Sequence, residues 1–258
     1  MEDDLGDRMK GLYESRETSR KFLPRVPIYA RIDGRSFSKL TKGMDRPFDP
    51  KMSRAMIETT KYLVKETHAV CGYVQSDEIS LVWYQDSIEG DIFFSGKVHK
   101  MTSVLASMAA AKFNHCLRGW APYEDRLASF DARVLELPSK TEATNMFLWR
   151  VNDASKNAVS MACRHHYSAK QMHGKSRIEM IEMLAEKGVV FDDYPSYFRF
   201  GTFLKRKVIT RAMTEAEMAK IPEKFHPKDG MITRSEIEEI NLDAPFSSYP
   251  QREAFIFG

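Results

Sequence analysis

The sequence predicts an α+β protein whose core is a four-stranded antiparallel sheet with two helices on one face. Two observations support this class. Short β-rich runs and long amphipathic segments follow one another in the order βαββαβ over residues 28–138. The second and third β-rich runs are separated only by the polar QSDE, which is typical of a hairpin. This order is the split βαβ motif of ferredoxin-like folds.

The first strand and the first helix follow from periodicity and capping. Residues 28–32 alternate apolar with amphipathic or charged side chains, which predicts a strand beginning after Pro27. The stretch DPKMSRAMIETTKYLVKETH offers Asp49 as N-cap and Pro50 at the first helical position. Its apolar residues recur at helical spacing, so we predict a long amphipathic helix.

Three further elements complete the predicted core. AVCGYV and ISLVWY are the two β-rich runs that flank QSDE and form the hairpin. GKVHKMTSVLASMAAAKFNHCL carries one apolar stripe and predicts the second helix. ASFDARVLELP predicts a short fourth strand that Pro138 ends.

Beyond Pro138 the patterns are weaker. NDASKNAVSMACRHHYSAKQM and SRIEMIEMLAEKG predict helices, SYFRFGTFLKRKVIT predicts one strand or a hairpin, and RSEIEEINL is helix-like. The apolar end AFIFG is expected to dock on the core. We therefore predict a catalytic domain over residues 1–138 and a C-terminal α/β extension over residues 139–258 that packs on it.

Composition limits the class of protein. At 258 residues, with 43% hydrophobic and 29% charged residues, the chain is typical of a soluble globular protein. The acidic MEDDLGDRMK argues against a secretory signal and no apolar run reaches a membrane span, so we expect a cytoplasmic protein. Cys71, Cys116 and Cys163 lack CxxC spacing and are expected to be buried, reduced thiols. A net charge of +3 is too small to indicate nucleic-acid binding by itself.

The predicted topology brings acidic residues together. In a βαββαβ sheet the third strand lies beside the first and antiparallel to it, so RIDGRSF and QSDE meet at one end of the sheet. Asp33 is therefore expected to approach Asp77 and Glu78. Converging carboxylates repel each other unless a cation lies among them, and hard oxygen ligands favour Mg²⁺ or Mn²⁺. This predicts a two-metal phosphoryl-transfer site, where Gly34 allows phosphate to approach the backbone.

Each half of this site also has a simpler interpretation. Asp-Gly is common turn chemistry, and SDE is a typical polar hairpin tip. Only their joint placement by the topology favours a site. The seven histidines have no metal-ligand spacing, and GxSxG, Walker A and GxGxxG motifs are absent from the sequence. Hydrolase, P-loop and Rossmann functions are therefore not indicated.

Three segments carry a family resemblance. RIDGRSFSKLTKGMDRPFD, GYVQSDEISLVW and SFDARVLELPS resemble the signature segments of the tRNA-histidine guanylyltransferase superfamily of 3′-to-5′ nucleotide polymerases. DLGDRMKGLYE, MHGKSRIEMIEMLAEKG and YPSYFRFGTFLKR are similar to its bacterial, archaeal and phage members. The resemblance implies a polymerase-palm core that adds GTP or templated nucleotides to the 5′ end of tRNA, with ATP as a possible activating substrate. It also implies two Mg²⁺ ions, replaceable by Mn²⁺, and a homotetramer whose C-terminal extension contacts tRNA.

The resemblance implies roles for individual residues. Asp33 and Asp77 would bind the two metal ions with help from the Gly34 carbonyl, and Glu78 would be the third catalytic carboxylate. The implied nucleotide-binding residues are Gly34, Arg35, Ser36, Phe37, Ser38, Arg46, Ser76, Lys97, Lys100, Arg133 and Asn157. For Lys97 and Lys100, an ordinary solvated helix surface is the alternative interpretation.

Two departures from the family pattern bear on the substrate. WRVNDASKNAVSM places Ser155 and Asn157 where eukaryotic members have HINNLY, which argues against strict selection of tRNA-histidine. Arg46 stands where the family commonly has lysine, and arginine binds phosphate with a different geometry. Both departures favour the guanylyltransferase-like branch, for which the resemblance implies repair of 5′-truncated tRNAs by templated addition.

Two other functions fit parts of the sequence. A GGDEF-type cyclic-nucleotide synthase shares the predicted topology, but Gln75 and Ser76 replace its Gly-Gly and the C-terminal extension is larger than it needs. A tRNA-binding protein without catalysis would have no use for clustered carboxylates that repel each other.

Overall fold

The computed structural model describes residues 5–12, 20–87 and 90–258. The first four residues of the acidic N-terminal segment therefore lie outside the described residues. The described strands are β1 Ile28–Gly34, β2 Cys71–Gln75, β3 Glu78–Trp83, β4 Phe130–Glu136, β5 Thr202–Ala212 and β6 Met231–Asn241. The described α-helices are α1 Leu5–Leu12, α2 Phe37–Leu40, α3 Pro50–Thr67, α4 Val98–Cys116, α5 Lys140–His166, α6 Ala169–Met172, α7 Arg177–Glu186, α8 Ser196–Phe200, α9 Glu215–Met218 and α10 Arg252–Phe257.

The described strands form one six-stranded sheet in the order β4-β1-β3-β2-β5-β6. Every neighbouring pair is antiparallel. The predicted pairing of the third strand with the first is confirmed. The described sheet has six strands rather than the four predicted for the core, because β5 pairs with β2 and β6 then pairs with β5.

The two predicted helices pack on one face of the sheet, as expected. Alternation in β1 directs Ile28, Ala30 and Ile32 into a core shared with α3 and α4. The Asp49 side chain accepts hydrogen bonds from the N–H groups of Lys51 and Met52, which confirms the predicted N-cap. Capping by Asp49 and burial of one apolar face therefore both stabilise α3 over the segment that the sequence predicts to be helical.

The other face of the sheet is covered by α5. Tyr29 and Tyr73 point to this side and pack with Phe147 of α5 and Phe203 of β5 in a second core. Ile256 of α10 is fully buried in the same core. The predicted docking of the C-terminal AFIFG segment is therefore confirmed.

The prediction for RSEIEEINL is wrong, because all of this segment except Leu242 lies in β6 and not in a helix. Glutamate favours helices locally, but β6 pairs with β5 along its whole length. Lys207 Nζ lies 3.5 Å from Glu238 Oε1 across the two strands. The helix preference of this acidic segment gives way to pairing with a basic strand that lies about thirty residues earlier in the chain.

The segment before β5 is also more complex than one strand or a hairpin. Its start, Ser196–Phe200, is the short helix α8, and Gly201 with a φ of 74° leads into the single strand β5. Cys71, Cys116 and Cys163 are all free thiols, of which Cys116 is only partly buried. Among the described helices, none has the length and apolarity that crossing a membrane requires.

Candidate active site

The predicted meeting of Asp33 with the hairpin is observed. Asp33 pairs in register with Glu78 of β3 and, on its other side, with Asp131 of β4. The Gly34 N–H donates a hydrogen bond to the Asp77 carbonyl oxygen at 3.0 Å. The end of β1 is thus tied through its backbone to the turn that carries Asp77.

Asp33 and Asp77 influence each other electrostatically. Burial raises the pKa of Asp77, a hydrogen bond from its own backbone N–H opposes this rise, and the negative charge of Asp33 adds to it. A cation placed between two neighbouring carboxylates favours the ionised form that burial and Asp33 disfavour at Asp77. The pair therefore has the electrostatics expected of a metal-binding pair.

Glu78 points into a different environment. Its two carboxylate oxygens accept hydrogen bonds from Arg150 Nε at 2.6 Å and from Arg150 Nη2 at 2.8 Å. Burial raises the pKa of Glu78, and the Arg150 guanidinium opposes that rise. Arg31 Nε lies 4.0 Å from the same carboxylate. Both oxygens of Glu78 are thus already engaged by protein cations.

The donor set fits a particular kind of metal site. Across the described residues, no group of three or more His, Cys, Asp or Glu side chains is arranged to hold a metal ion. Asp33 and Asp77 nevertheless supply hard oxygen ligands at one point. Mg²⁺ is commonly held by one or two carboxylates together with substrate phosphates rather than by a cage made only of protein. These two residues fit a Mg²⁺ ion that arrives with a nucleotide.

A cleft next to the hairpin collects three of the predicted nucleotide-binding residues. Arg46, Ser76 and Asn157 line a cavity of about 100 Å³, together with Phe48 and Tyr197. The rings of Phe48 and Tyr197 meet edge to face with centroids 5.6 Å apart. A cation, polar groups and aromatic surface at one place are suited to a nucleotide.

The residues after Gly34 divide between surface and core. Arg35, Ser36 and Ser38 are exposed, whereas the Phe37 side chain is only 5% exposed. The Phe37 ring packs against Phe113 with centroids 5.3 Å apart. The Phe37 ring is therefore part of the core, and only the backbone of Phe37 is available to a triphosphate.

Lys97 and Lys100 are not brought to Asp33 within the chain. They lie at the N-terminal end of α4, where the Val98 N–H bonds the Arg20 carbonyl. A helix of 19 residues is about 28 Å long. Its other end leads to β4, where Phe130 pairs with Gly34. Because α4 spans the sheet, these lysines occupy the end opposite Asp33.

Arg133 and Arg31 add positive charge near the carboxylates. Arg133 of β4 pairs with Arg31 of β1, and Asp131 pairs with Asp33 two residues along each strand. Because side chains two residues apart lie on the same side of a strand, these four side chains share one face of the sheet. The Arg133 side chain is 62% exposed, and its Nε lies 3.9 Å from Asp131. Arg133 thus lies on the same face as Asp33, and its role in nucleotide binding stays a prediction.

Two residues of the site were not predicted from the sequence. In the sequence analysis, Arg31 appeared only within RIDGRSF and Arg150 only within WRVNDASKNAVSM. Arg150 falls beside Phe147, Val151 and Ala154 on the buried stripe of α5, and this spacing is a signal of a buried cation. Its partner could not be found in the same way, because Glu78 is 72 residues away.

A carboxylate pair at a hairpin, next to a cleft with cationic and aromatic walls, fits the site of a nucleotidyltransferase. The profile of the family described as tRNAHis guanylyltransferase (Thg1) matches residues 7–138. The chain belongs to this family, which confirms the resemblance, and it is a tRNA nucleotidyltransferase.

Solved structures and a relative agree with this assignment. A bacterial Thg1-like protein in complex with ATP is 31% identical with a TM-score of 0.78, covering 97% of this chain and 98% of that chain. A bacterial Thg1-like protein in complex with GTP is 30% identical with a TM-score of 0.74, covering 99% of this chain and 100% of that chain. A probable tRNA(His) guanylyltransferase of Drosophila melanogaster is 25% identical over 209 residues, which is 75% of this chain and 72% of the fly protein.

Proposed function

We propose that this protein adds nucleotides, GTP or templated nucleotides, to the 5′ end of tRNA in the 3′-to-5′ direction and depends on Mg²⁺. The observation that carries the proposal is the meeting of Asp33 and Asp77 at the junction of β1 and the β2–β3 hairpin. The strand order β4-β1-β3-β2, with α3 and α4 on one face, supports a ferredoxin-like palm core.

The proposed roles follow from position and charge. Asp33 and Asp77 would hold Mg²⁺, with the Gly34 carbonyl as a further oxygen ligand. When bound, Mg²⁺ neutralises charge on the triphosphate and favours ionisation of the attacking hydroxyl. Arg46, Ser76 and Asn157 would position the nucleotide in their cleft.

The remaining proposed contacts lie around the carboxylates. Arg35, Ser36, Ser38 and the Phe37 backbone follow Gly34 directly and would contact phosphate oxygens. Arg133 would neutralise phosphate charge beside Asp33. The Arg150 guanidinium would hold Glu78 on β3, so that the adjacent Asp77 keeps its place relative to Asp33. The ATP and GTP bound to the bacterial Thg1-like proteins support a nucleotide site of this kind.

The organisation of the whole protein is proposed on the same basis. Residues 1–138 would form the catalytic domain, and residues 139–258 would contact tRNA within a cytoplasmic homotetramer. The pairing of β5 with β2 supports close packing of the two parts, since one sheet continues from one into the other. The divergent Ser155 and Asn157 segment supports repair of truncated tRNA rather than strict tRNA-histidine maturation.

The test is incorporation of labelled GTP into full-length and 5′-truncated tRNA with ATP and Mg²⁺. We expect Asp33→Ala and Asp77→Ala each to abolish incorporation while retaining the fold and most tRNA affinity. Asp192→Asn removes a carboxylate whose side chain is 84% exposed and serves as the matched control. Incorporation by either alanine variant would contradict the metal-site assignment.

Mapping the new 5′ end separates the possible functions. Templated growth on truncated tRNA would indicate repair, and one added guanosine on tRNA-histidine would indicate maturation. A cyclic dinucleotide formed without RNA would show the GGDEF-like activity instead. Binding of tRNA with no incorporation under any condition would leave a binding protein.

A further inference from the structure

A second cavity lies beside the segment that follows Gly34 and shares no lining residue with the Arg46 cleft. Its volume is about 440 Å³, and its walls include Arg35, Lys39 and Arg126. Ser36 and Ser129 add two hydroxyl groups. No Asp or Glu is among its described lining residues. The cavity, which we call the Arg126 cavity, is therefore positively charged and polar.

The positive charge of this cavity is not neutralised within the described protein. Arg35 and Lys39 take part in none of the ion pairs that the described residues form. Arg126 Nη1 donates to the carbonyl oxygens of Leu40 and Lys42, which carry no net charge. Three uncompensated cations around one space repel each other and attract an anion.

Arg126 is also held in a defined orientation. Besides its bonds to the two carbonyl groups, its guanidinium lies 4.5 Å from the centre of the Tyr123 ring. These contacts already order the Arg126 side chain in the free protein. Binding of an anion therefore costs less conformational entropy. The Arg35 N–H also bonds the Ser129 carbonyl at 2.8 Å, which joins the two walls of the cavity.

The composition of the walls distinguishes between possible anions. The described lining contains no aromatic ring on which a base could stack, in contrast to the Arg46 cleft with Phe48 and Tyr197. Contacts to phosphate fix the position of a strand without reading its sequence. The cavity also begins at Arg35, which is two residues from Asp33. Beyond Arg35 and Ser36, which are proposed to contact the triphosphate, the chemistry of Lys39, Arg126 and Ser129 therefore suits the sugar-phosphate backbone more than a free nucleotide.

We propose that the Arg126 cavity binds phosphodiester groups of the RNA strand whose end reaches Asp33 and Asp77. This inference rests on the proposed function, since it requires that RNA approaches those carboxylates. Lys39 and Arg126 would contact the backbone of any tRNA alike. The cavity thus contributes affinity and placement of the strand, and the Arg46 cleft contributes the choice of nucleotide.

The test compares Lys39→Gln with Lys65→Gln in the full-length protein. Both lysines are exposed and belong to residues 1–138, but Lys65 lies in the last turn of α3, at the end of the sheet opposite Asp33. Fluorescence anisotropy of 3′-labelled tRNA gives the affinity at several salt concentrations. We expect Lys39→Gln to weaken full-length and truncated tRNA binding to a similar extent. Its slope of log affinity against log salt should fall by roughly 0.7–0.9 for a lost phosphate contact.

Further measurements keep the outcome clear. GTP binding by Lys39→Gln, measured separately, should equal that of the unmodified protein. Arg126→Gln should weaken tRNA binding in the same way, with circular dichroism to verify its fold. Unchanged tRNA affinity and salt slope in Lys39→Gln would overturn the proposal, as would an equal loss in Lys65→Gln. Weaker GTP binding with unchanged tRNA binding would show a second nucleotide site instead.

Failure of this inference can be told apart from failure of the proposed function. If the unmodified protein incorporates GTP into tRNA but Lys39→Gln binds tRNA normally, only the role of the Arg126 cavity is wrong. If the unmodified protein incorporates no nucleotide into any tRNA, the proposed function is wrong, and the inference that depends on it is wrong as well.

Discussion

Replacing Arg150 with methionine is expected to remove both hydrogen bonds from the Glu78 carboxylate in the protein interior and to leave only Arg31, whose Nε lies 4.0 Å away. The Arg150 and Glu78 side chains are only 7% and 9% exposed, and the closer of their hydrogen bonds is 2.6 Å long. Removing one partner of such a pair costs about 3–5 kcal/mol of unfolding free energy. For a chain of this size that loss corresponds to a decrease in Tm of roughly 6–20 °C.

The loss should depend on pH with a definite sign. Burial already raises the pKa of Glu78, and Arg150 opposes the rise, so Arg150→Met should raise the folded-state pKa further. Above that pKa, the ionised carboxylate costs stability. Below the unfolded-state pKa, which is about 4.3, Glu78 is neutral in both states and this cost disappears. The deficit of the variant should therefore be largest at neutral pH and shrink as the pH falls toward about 4.

The assay is urea unfolding followed by circular dichroism with EDTA present, between pH 4 and pH 8. The double variant Glu78→Gln, Arg150→Met should be more stable than Arg150→Met at pH 7, because it buries no unpaired charge. Arg177→Met removes an exposed arginine of α7 and is the control. A deficit below about 1 kcal/mol, or one that neither pH nor Glu78→Gln relieves, would refute the reasoning.

Two further predictions concern the elements on either side of the site. Gly34→Ala should cost about 1–3 kcal/mol, because its Cβ would lie 2.3 Å from the buried Phe37 ring, and a melting temperature equal to that of the unmodified protein would contradict this expectation. Asp49→Ala should cost about 1 kcal/mol in urea unfolding through loss of the α3 N-cap. Asp49→Ser should recover most of that loss, and an equal deficit in both variants would exclude capping as its cause.

Local signals in the sequence predict much of the fold. Alternation in residues 28–32, the Asp49-Pro50 start of α3 and the polar turn between β2 and β3 each depend on neighbouring residues, and each is observed. β6 could not be predicted in this way. Its glutamates favour a helix locally, and its strand conformation depends on pairing with β5.

The candidate site shows the same division. Its central residues, Asp33 and Asp77, could be predicted together because the strand order alone determines that β1 meets the hairpin. The ion pair between Arg150 and Glu78 depends on how α5 crosses the second face of the sheet. Local sequence patterns do not specify that crossing. The same holds for Lys97, whose distance from Asp33 follows from the direction of α4.

The sequence by itself determined the elements of the predicted core, the carboxylates and the family, because periodicity, caps and signature segments are local properties of the chain. Only the tertiary structure decided which charges are paired and which remain free. Glu78 is neutralised by a cation from a distant helix, whereas Lys39 and Arg126 face an open cavity without a carboxylate. Charge pairing depends on distances across the fold, and those distances arise only when sheet and helices pack together.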